Sequence, residues 1–184
     1  VIQQLETWQA QALNPQIAIN LSVHDIKNNK LLPFIVTKLK THNIASEQIS
    51  FEITESDLMS DPKKAALQLC EFREAGFDLS IDDFGTGYSS LSYLKNMPVN
   101  ELKIDKSFIS NLNENDDDKN IVQTIISLAK MFDLQVVAEG VENIETLNLL
   151  KAWDCDWIQG YYISKPLSSD DFVERLKHEN SSHT

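Results

Sequence analysis

Short apolar runs alternate along the chain with longer stretches whose hydrophobic positions recur every three or four residues. The runs are QIAINLS (16–22), ISFEITE (49–55), DLSIDD (78–83), VNELKID (99–105), LQVVAEG (134–140) and WIQGYYIS (157–164). Each has the length of a strand, and their alternation with amphipathic stretches predicts a parallel β-sheet wrapped by helices. Between the runs, Leu31, Ile35 and Leu39, then Ala65, Leu69 and Phe72, then Ile121, Ile125, Leu128 and Phe132 predict helices with one face inward. Asp61-Pro62 opens one of these helices as an N-cap followed by proline, and Gly76 closes it. NENDDDKN (113–120) reads as a solvated loop before the longest helix. With no internal repeat, low-complexity tract or linker, residues 1–184 read as one domain, of which 168–184 form a terminal helix and tail.

Polar residues fall on this pattern in a regular way. Asn20 lies near the end of the first run, Glu52 and Glu55 the second, Asp82 and Asp83 the third, Lys103 and Asp105 the fourth, and Glu139 and Glu142 the fifth, while Gln159 lies in the sixth. Any one of them alone reads as a helix cap or a solvated loop residue. Together they match a (β/α) barrel, in which the carboxyl ends of all strands face one mouth and bring distant residues together there. The predicted fold is therefore α/β, a TIM-like (β/α) barrel of which six of eight strands are present. Carboxylates with an Asn, and neither His nor Cys, make a hard oxygen set suited to Mg²⁺ or Mn²⁺. Adjacent Asp82 and Asp83 suit two cations about 3.5–4 Å apart, with Asp82 bridging, an arrangement for phosphoryl displacement. His24, His42, His178 and His183 lie away from the strand ends and are not expected to take part.

Composition limits what else the chain can do. Sixteen basic and 28 acidic side chains give a net charge of −12, which argues against bulk binding to nucleic acid or anionic membrane. Cys70 and Cys155, far apart and without ligand spacing, read as buried free thiols in a reducing compartment. No stretch reaches the ~18–20 apolar residues of a membrane span, and the first residues lack the order of a signal peptide. The expected location is cytoplasmic, either as a free protein or as the cytoplasmic part of a longer, membrane-tethered one.

INLS, FEITES, IDDFGTGYSSL, LKIDKSF, VVAEGVE and IQGYYISKPL resemble, in order and spacing, the successive motifs of EAL-type cyclic di-GMP phosphodiesterases over about residues 16–167. The resemblance implies a metal-dependent enzyme that opens cyclic di-GMP to linear pGpG in bacterial second-messenger signalling. It implies two divalent cations, Mg²⁺ or Mn²⁺, served by Asn20, Glu52, Asp82, Asp83 and Glu139. It further implies that Lys103 contacts the attacking water or a phosphate, Glu55 steadies the turn after Asp83, Gln159 helps hold the site, and Glu142 stands behind it or toward the substrate. No Glu-Ala-Leu triplet occurs in the 184 residues, and the opening VIQQLETWQAQAL reads as a helix with Val1, Leu5 and Trp8 on one face. These departures imply an amino-terminally incomplete domain and keep open an alternative, a catalytically inactive cyclic di-GMP receptor or interaction module. A homodimer through YSSLSYLKNM (88–97) and a fused sensor or cyclase domain outside the chain are the other expected partners.

Overall fold

The computed structural model describes residues 1–87 and 91–181. A first helix α1 (Ile2–Gln9) leads into β1 (Ile17–Asn20), followed by α2 (Val23–Ile26), α3 (Leu31–Thr41) and β2 (Ile49–Thr54). Next come α4 (Glu55–Ser60), α5 (Pro62–Glu74), β3 (Asp78–Phe84), α6 (Leu91–Leu94), β4 (Glu101–Ile104), α7 (Lys106–Ser110) and α8 (Asp116–Met131). The chain ends through β5 (Gln135–Ala138), α9 (Ile144–Ala152), β6 (Trp157–Ile158) and α10 (Ser169–Ser181). The six strands are all parallel, pair in sequence order from β1 to β6, and form a curled half-barrel with helices outside. The predicted fold class holds.

Strand alternation separates two environments. In β2, Ile49, Phe51 and Ile53 are buried toward the helices, whereas Ser50, Glu52 and Thr54 are only partly covered. Phe51 packs edge-on against Phe72 and Phe77, with ring centroids 5.4 and 5.1 Å apart. The core therefore lies between the sheet and its helices, and the inner face of the curl is polar. Capping follows local chemistry: Asp61 accepts from the Lys64 N–H, Pro62 takes the first helical position of α5, and Gly76 ends it at φ 90°.

Four local expectations are corrected. The inward stripe of α8 consists of Val122, Ile125, Ile126 and Ala129, while Ile121 is exposed and Leu128 and Phe132 only partly covered. The segment read as a solvated loop enters the helix early: Asn115 is the N-cap, and Asp116, Asp117 and Asp118 fill the first turn, where acidic groups meet the positive end of the helix dipole. The sixth strand stops at Ile158, because Gly160 brings the chain hard against Val141 and Tyr161 to Ile163 then turn outward. Cys70 is exposed and Cys155 half-buried, so neither is the fully buried thiol expected.

At the two chain ends, Leu5 and Trp8 of α1 are buried, although Val1 is exposed. Trp8 meets Phe172 of α10 at 5.2 Å between ring centroids, beside buried Val173. Among the described residues, no helix is long and apolar enough to cross a membrane. Of the segment expected to carry a dimer contact, residues 88–90 lie outside the described residues, as does His183.

Candidate active site

Register places the polar residues at one end of the curl. Asn20 pairs with Glu52 across β1 and β2, Thr54 with Asp82 across β2 and β3, and Lys103 with Val137 across β4 and β5, while Glu139 follows β5 directly. Because side chains alternate, Glu52, Asp82, Lys103 and Glu139 all enter the concave face. The Lys103 ammonium sits among three carboxylates, 2.7 Å from Glu52 Oε1, 2.6 Å from Glu139 Oε1 and 3.1 Å from Asp82 Oδ1. Its side chain is only 6% exposed. Burial works against its charge, but hydrogen bonds and charges of Glu139 and Glu52 outweigh that and hold the ammonium protonated well above the usual lysine range. Burial pushes the Glu139 carboxyl up, Lys103 opposes it, and the neighbouring Asp82 and Glu52 charges reinforce the rise.

The backbone explains how two adjacent aspartates both reach this end. Strict alternation would send Asp83 into the helix layer. Instead the β3–β4 register shifts between Ile81 and Phe84, and Asp83 takes a left-handed φ of 54°, which returns buried Phe84 to the core. Asp83 meets the carboxyl of Asp105, and burial, then the charges of Asp82 and Asp105, raise its pKa. Burial also acts on Asp105, but hydrogen bonds from Ser107, whose N–H lies 3.0 Å away at the start of α7, outweigh it and lower its pKa.

Glu55 stands beneath this turn. It is 1% exposed, and its Oε2 accepts from the Gly85 N–H at 2.9 Å and the Gly87 N–H at 3.3 Å. Both glycines are required, Gly85 by a φ of 101° and Gly87 because a Cβ there would lie 2.8 Å from Glu55 Oε1. The remaining predicted residues take no part in the ion pairs around Lys103, although Gln159 lines the same cavity as Glu52 and Lys103. Asn20 is exposed and makes no side-chain hydrogen bond among the described residues. Glu142 and Gln159, also exposed, line an adjoining recess, where the Gln159 carbonyl accepts from the Val141 N–H at 3.0 Å.

Among the described residues, no three His, Cys, Asp or Glu side chains are grouped to hold a metal ion, because Glu52, Asp82 and Glu139 are turned onto the Lys103 ammonium. The donor chemistry nevertheless fits hard cations. Three carboxylates face one positive charge, and Asp82 Oδ1, though within ion-pair distance of Lys103, is buried without a directed hydrogen bond.

Sequence reasoning placed Asp105, which touches Asp83, among the strand-end polar groups but gave it no specific role, and it did not single out Glu101, half-buried on the concave face below Lys103 and pushed up to about 7 mainly by burial. The spacing of Glu101, Lys103 and Asp105, two residues apart along one run, was the available signal. Lys106 and Tyr161, which line the recess beside Glu139, were also missed. Their convergence depends on loop contacts that no local spacing reveals.

Comparison with known proteins gives this arrangement a lineage. The EAL domain family model matches residues 1–166. Cyclic di-GMP phosphodiesterase PA2567 of Pseudomonas aeruginosa is 36% identical over 174 residues, which cover 95% of this chain and 30% of that protein. The structure of PaMucR phosphodiesterase in complex with c-di-GMP superposes with a TM-score of 0.87 at 35% identity, over 93% of this chain and 70% of that one. A manganese/cy-diGMP complex of Klebsiella pneumoniae BlrP1 superposes with a TM-score of 0.78 at 26% identity, over 87% of this chain and 41% of that one. The chain spans about a fifth to a third of the length of the curated relatives it matches. With the parallel half-barrel, the ordered motifs and a family match that runs through all six strands, the chain belongs to the EAL domain family.

Proposed function

We propose that the domain takes part in cyclic di-GMP turnover as a phosphodiesterase that opens the cyclic dinucleotide to linear pGpG. The observation that carries this reading is the cluster of Glu52, Asp82 and Glu139 around the buried Lys103, at the end of the sheet where such barrels do chemistry. Asn20, Glu52, Asp82, Asp83 and Glu139 would hold two divalent cations, Mg²⁺ or Mn²⁺. When bound, these cations supply charge neutralisation at the phosphoryl oxygens and activation of the attacking water. The chain's own residues do the rest. Lys103 contacts the attacking water or a phosphate oxygen and orients or deprotonates that water. Glu55 fixes the turn that follows Asp83 through Gly85 and Gly87. Glu142 and Gln159 border the substrate from the recess.

The share of each relative that the chain covers supports further domains, a sensor or a cyclase, in the whole protein, which would act in the cytoplasm. Exposed Leu91 and Tyr93 on α6 are suited to a homodimer contact. The second reading is a receptor that binds cyclic di-GMP without cleaving it, and it differs from the first in turnover alone. Incubation with Mn²⁺ or Mg²⁺ and cyclic di-GMP, followed by chromatography, separates the two. The enzyme reading expects pGpG from the wild-type chain and a loss of about a thousandfold or more in Asp82→Asn, whose volume is unchanged. Saturable binding with no product at either cation would establish the receptor instead.

A further inference from the structure

Helix α5 buries Ala65, Leu69 and Phe72, and Phe72 meets Phe51 of β2 behind the sheet. Its opposite side faces outward and carries a second stripe. Lys63, Leu67, Cys70 and Glu74 follow one another at steps of four, three and four, the spacing that keeps residues on one seam of a helix, and all four are exposed. Leu67, near the middle of the stripe, is 72% exposed. Lys64 and Glu71 flank the stripe on one side and are exposed as well.

A single exposed leucine on a solvated helix is ordinary, but the order of charges around this one is not. Acidic groups stabilise the first turn of a helix and basic groups the last. Helix α8 begins with Asp116, Asp117 and Asp118 and has Lys130 in its last turn, and α9 has Glu145 in its first turn and Lys151 in its last. Helix α5 reverses this order: behind its Asp61 cap, Lys63 and Lys64 occupy the first turn, and Glu71 and Glu74 lie in the last. The basic group at that end, Arg73, is turned to the Phe77 carbonyl and to Asp78. Among the described residues, Lys63, Lys64, Glu71 and Glu74 have no ion-pair partner, so no ion pair offsets their placement against the dipole.

Reversed charges on either side of an apolar centre make the stripe complementary to itself. In a second copy laid antiparallel about a twofold axis at the middle of the stripe, Lys63 lies opposite the partner's Glu74 and Leu67 opposite the partner's Cys70, with Lys64 on the same flank as the partner's Glu71. A parallel copy would set lysine against lysine and glutamate against glutamate. We infer that the outward face of α5 is a twofold contact between two copies of this chain, separate from α6 and on the outer wall of the half-barrel, where it leaves the mouth open. One helical face gives a contact smaller than the ~1,200 Å² of stable complexes, and the −12 charge of each copy opposes approach. The association is therefore weak, with a dissociation constant of about 10 µM or more.

The test is sedimentation velocity of the full chain over a concentration series, in the wild type and in a Leu91→Asp parent that removes the exposed leucine of α6. Both are expected to show reversible monomer–dimer exchange. Leu67→Asp, the pair Lys63→Glu/Lys64→Glu and the pair Glu71→Lys/Glu74→Lys, each made in the Leu91→Asp parent, are expected to weaken association by about tenfold or more. Both charge variants are expected to melt no lower than the parent, since each removes charges that oppose the dipole, and this separates a lost contact from a lost fold. Mixed together, the two charge variants set lysine against glutamate at every pairing and are expected to form a mixed dimer within about threefold of the parent's affinity. A Leu91→Asp parent that stays monomeric at every concentration overturns the inference, as does a dimer that survives all three variants. Two charge variants that remain monomeric when mixed overturn it as well, since complementary charge is then not what joins the copies.

Discussion

The two ends of the concave face are built from the same strands and carry acidic groups at alternate positions, yet they manage charge in opposite ways. At the lower end Asp78 is matched by neutral and positive donors, Gln16 Nε2 at 3.1 Å and Arg73 Nη1 at 3.0 Å. Glu101, next to it on the concave face, has no ion-pair or hydrogen-bond partner among the described residues, and its carboxyl rises to about 7. At the mouth, three carboxylates crowd a single ammonium and keep an excess of negative charge. A buried carboxyl without a partner escapes its penalty by taking up a proton. A cluster centred on Lys103 stays charged, and its unmatched charge is what a divalent cation or an anion-bearing substrate with its counterions would meet. The difference is what the proposed chemistry at the mouth would draw on, and it makes the floor a pH-dependent structural liability.

Lys103→Met breaks the mouth with the largest expected effect. It removes the ion-pair partner that Glu52, Asp82 and Glu139 share while keeping a long side chain in place. Loss of one side of a buried ion cluster typically costs about 3–5 kcal/mol. Urea denaturation at neutral pH without divalent cations is expected to show a drop of that size. Addition of Mn²⁺ is expected to recover more stability in the variant than in the wild type, because the freed carboxylates bind only the native state. A variant as stable as the wild type in metal-free buffer would mean that the three carboxylates do not depend on Lys103.

At the floor the expected effect is smaller and depends on pH. The folded-state pKa of Glu101, about 7, lies above the ordinary value of 4.5, so the native state binds the proton more tightly than the unfolded chain. Stability from this group is complete below about pH 4.5 and is lost as pH rises toward 7. The full shift would correspond to ~3 kcal/mol, and partial contact with solvent reduces this to about 1–2 kcal/mol. Glu101→Gln is expected to remove that decline, so that the difference between variant and wild type widens from pH 4.5 to pH 7.5 in urea titrations. Parallel pH profiles for the two proteins would show that Glu101 is not the group responsible.

Much of the mouth was legible because strand alternation is a short-range rule. Glu52, Asp82 and Lys103 each lie at a predictable position of their strand, and parallel pairing brings them to the same end. The inward face of α8 was not legible, because Ile121, Ile125, Leu128 and Phe132 and the observed Val122, Ile125, Ile126 and Ala129 form two overlapping apolar stripes. Helical period alone cannot choose between stripes one residue apart. The truncation of β6 was hidden for another reason. WIQGYYIS has the aromatic and β-branched content of a strand, and only contact between Gly160 and the Val141 backbone ends it. The bulge at Asp83 was likewise invisible, since nothing in the pair Asp82-Asp83 states which of the two leaves the pleat.

That bulge gives the smallest and most local of the expected effects. At φ 54° a residue with a Cβ is strained by roughly 1–2 kcal/mol, with aspartate among the better-tolerated types, while glycine adopts the conformation freely. Asp83→Ala and Asp83→Gly both remove the carboxylate and its repulsion with Asp82 and Asp105, so the electrostatic change is common to both. Their difference isolates the backbone. Glycine loses some of its advantage by adding freedom to the unfolded chain, an effect of about 0.4–1 kcal/mol. The glycine variant is therefore expected to exceed the alanine variant by about 1 kcal/mol or less, read from paired urea midpoints with equal slopes. An alanine variant equal to or more stable than the glycine variant would mean that Asp83 leaves the left-handed region without penalty, and the two aspartates would then owe their shared position to the cations or the carboxylate contacts rather than to the strand.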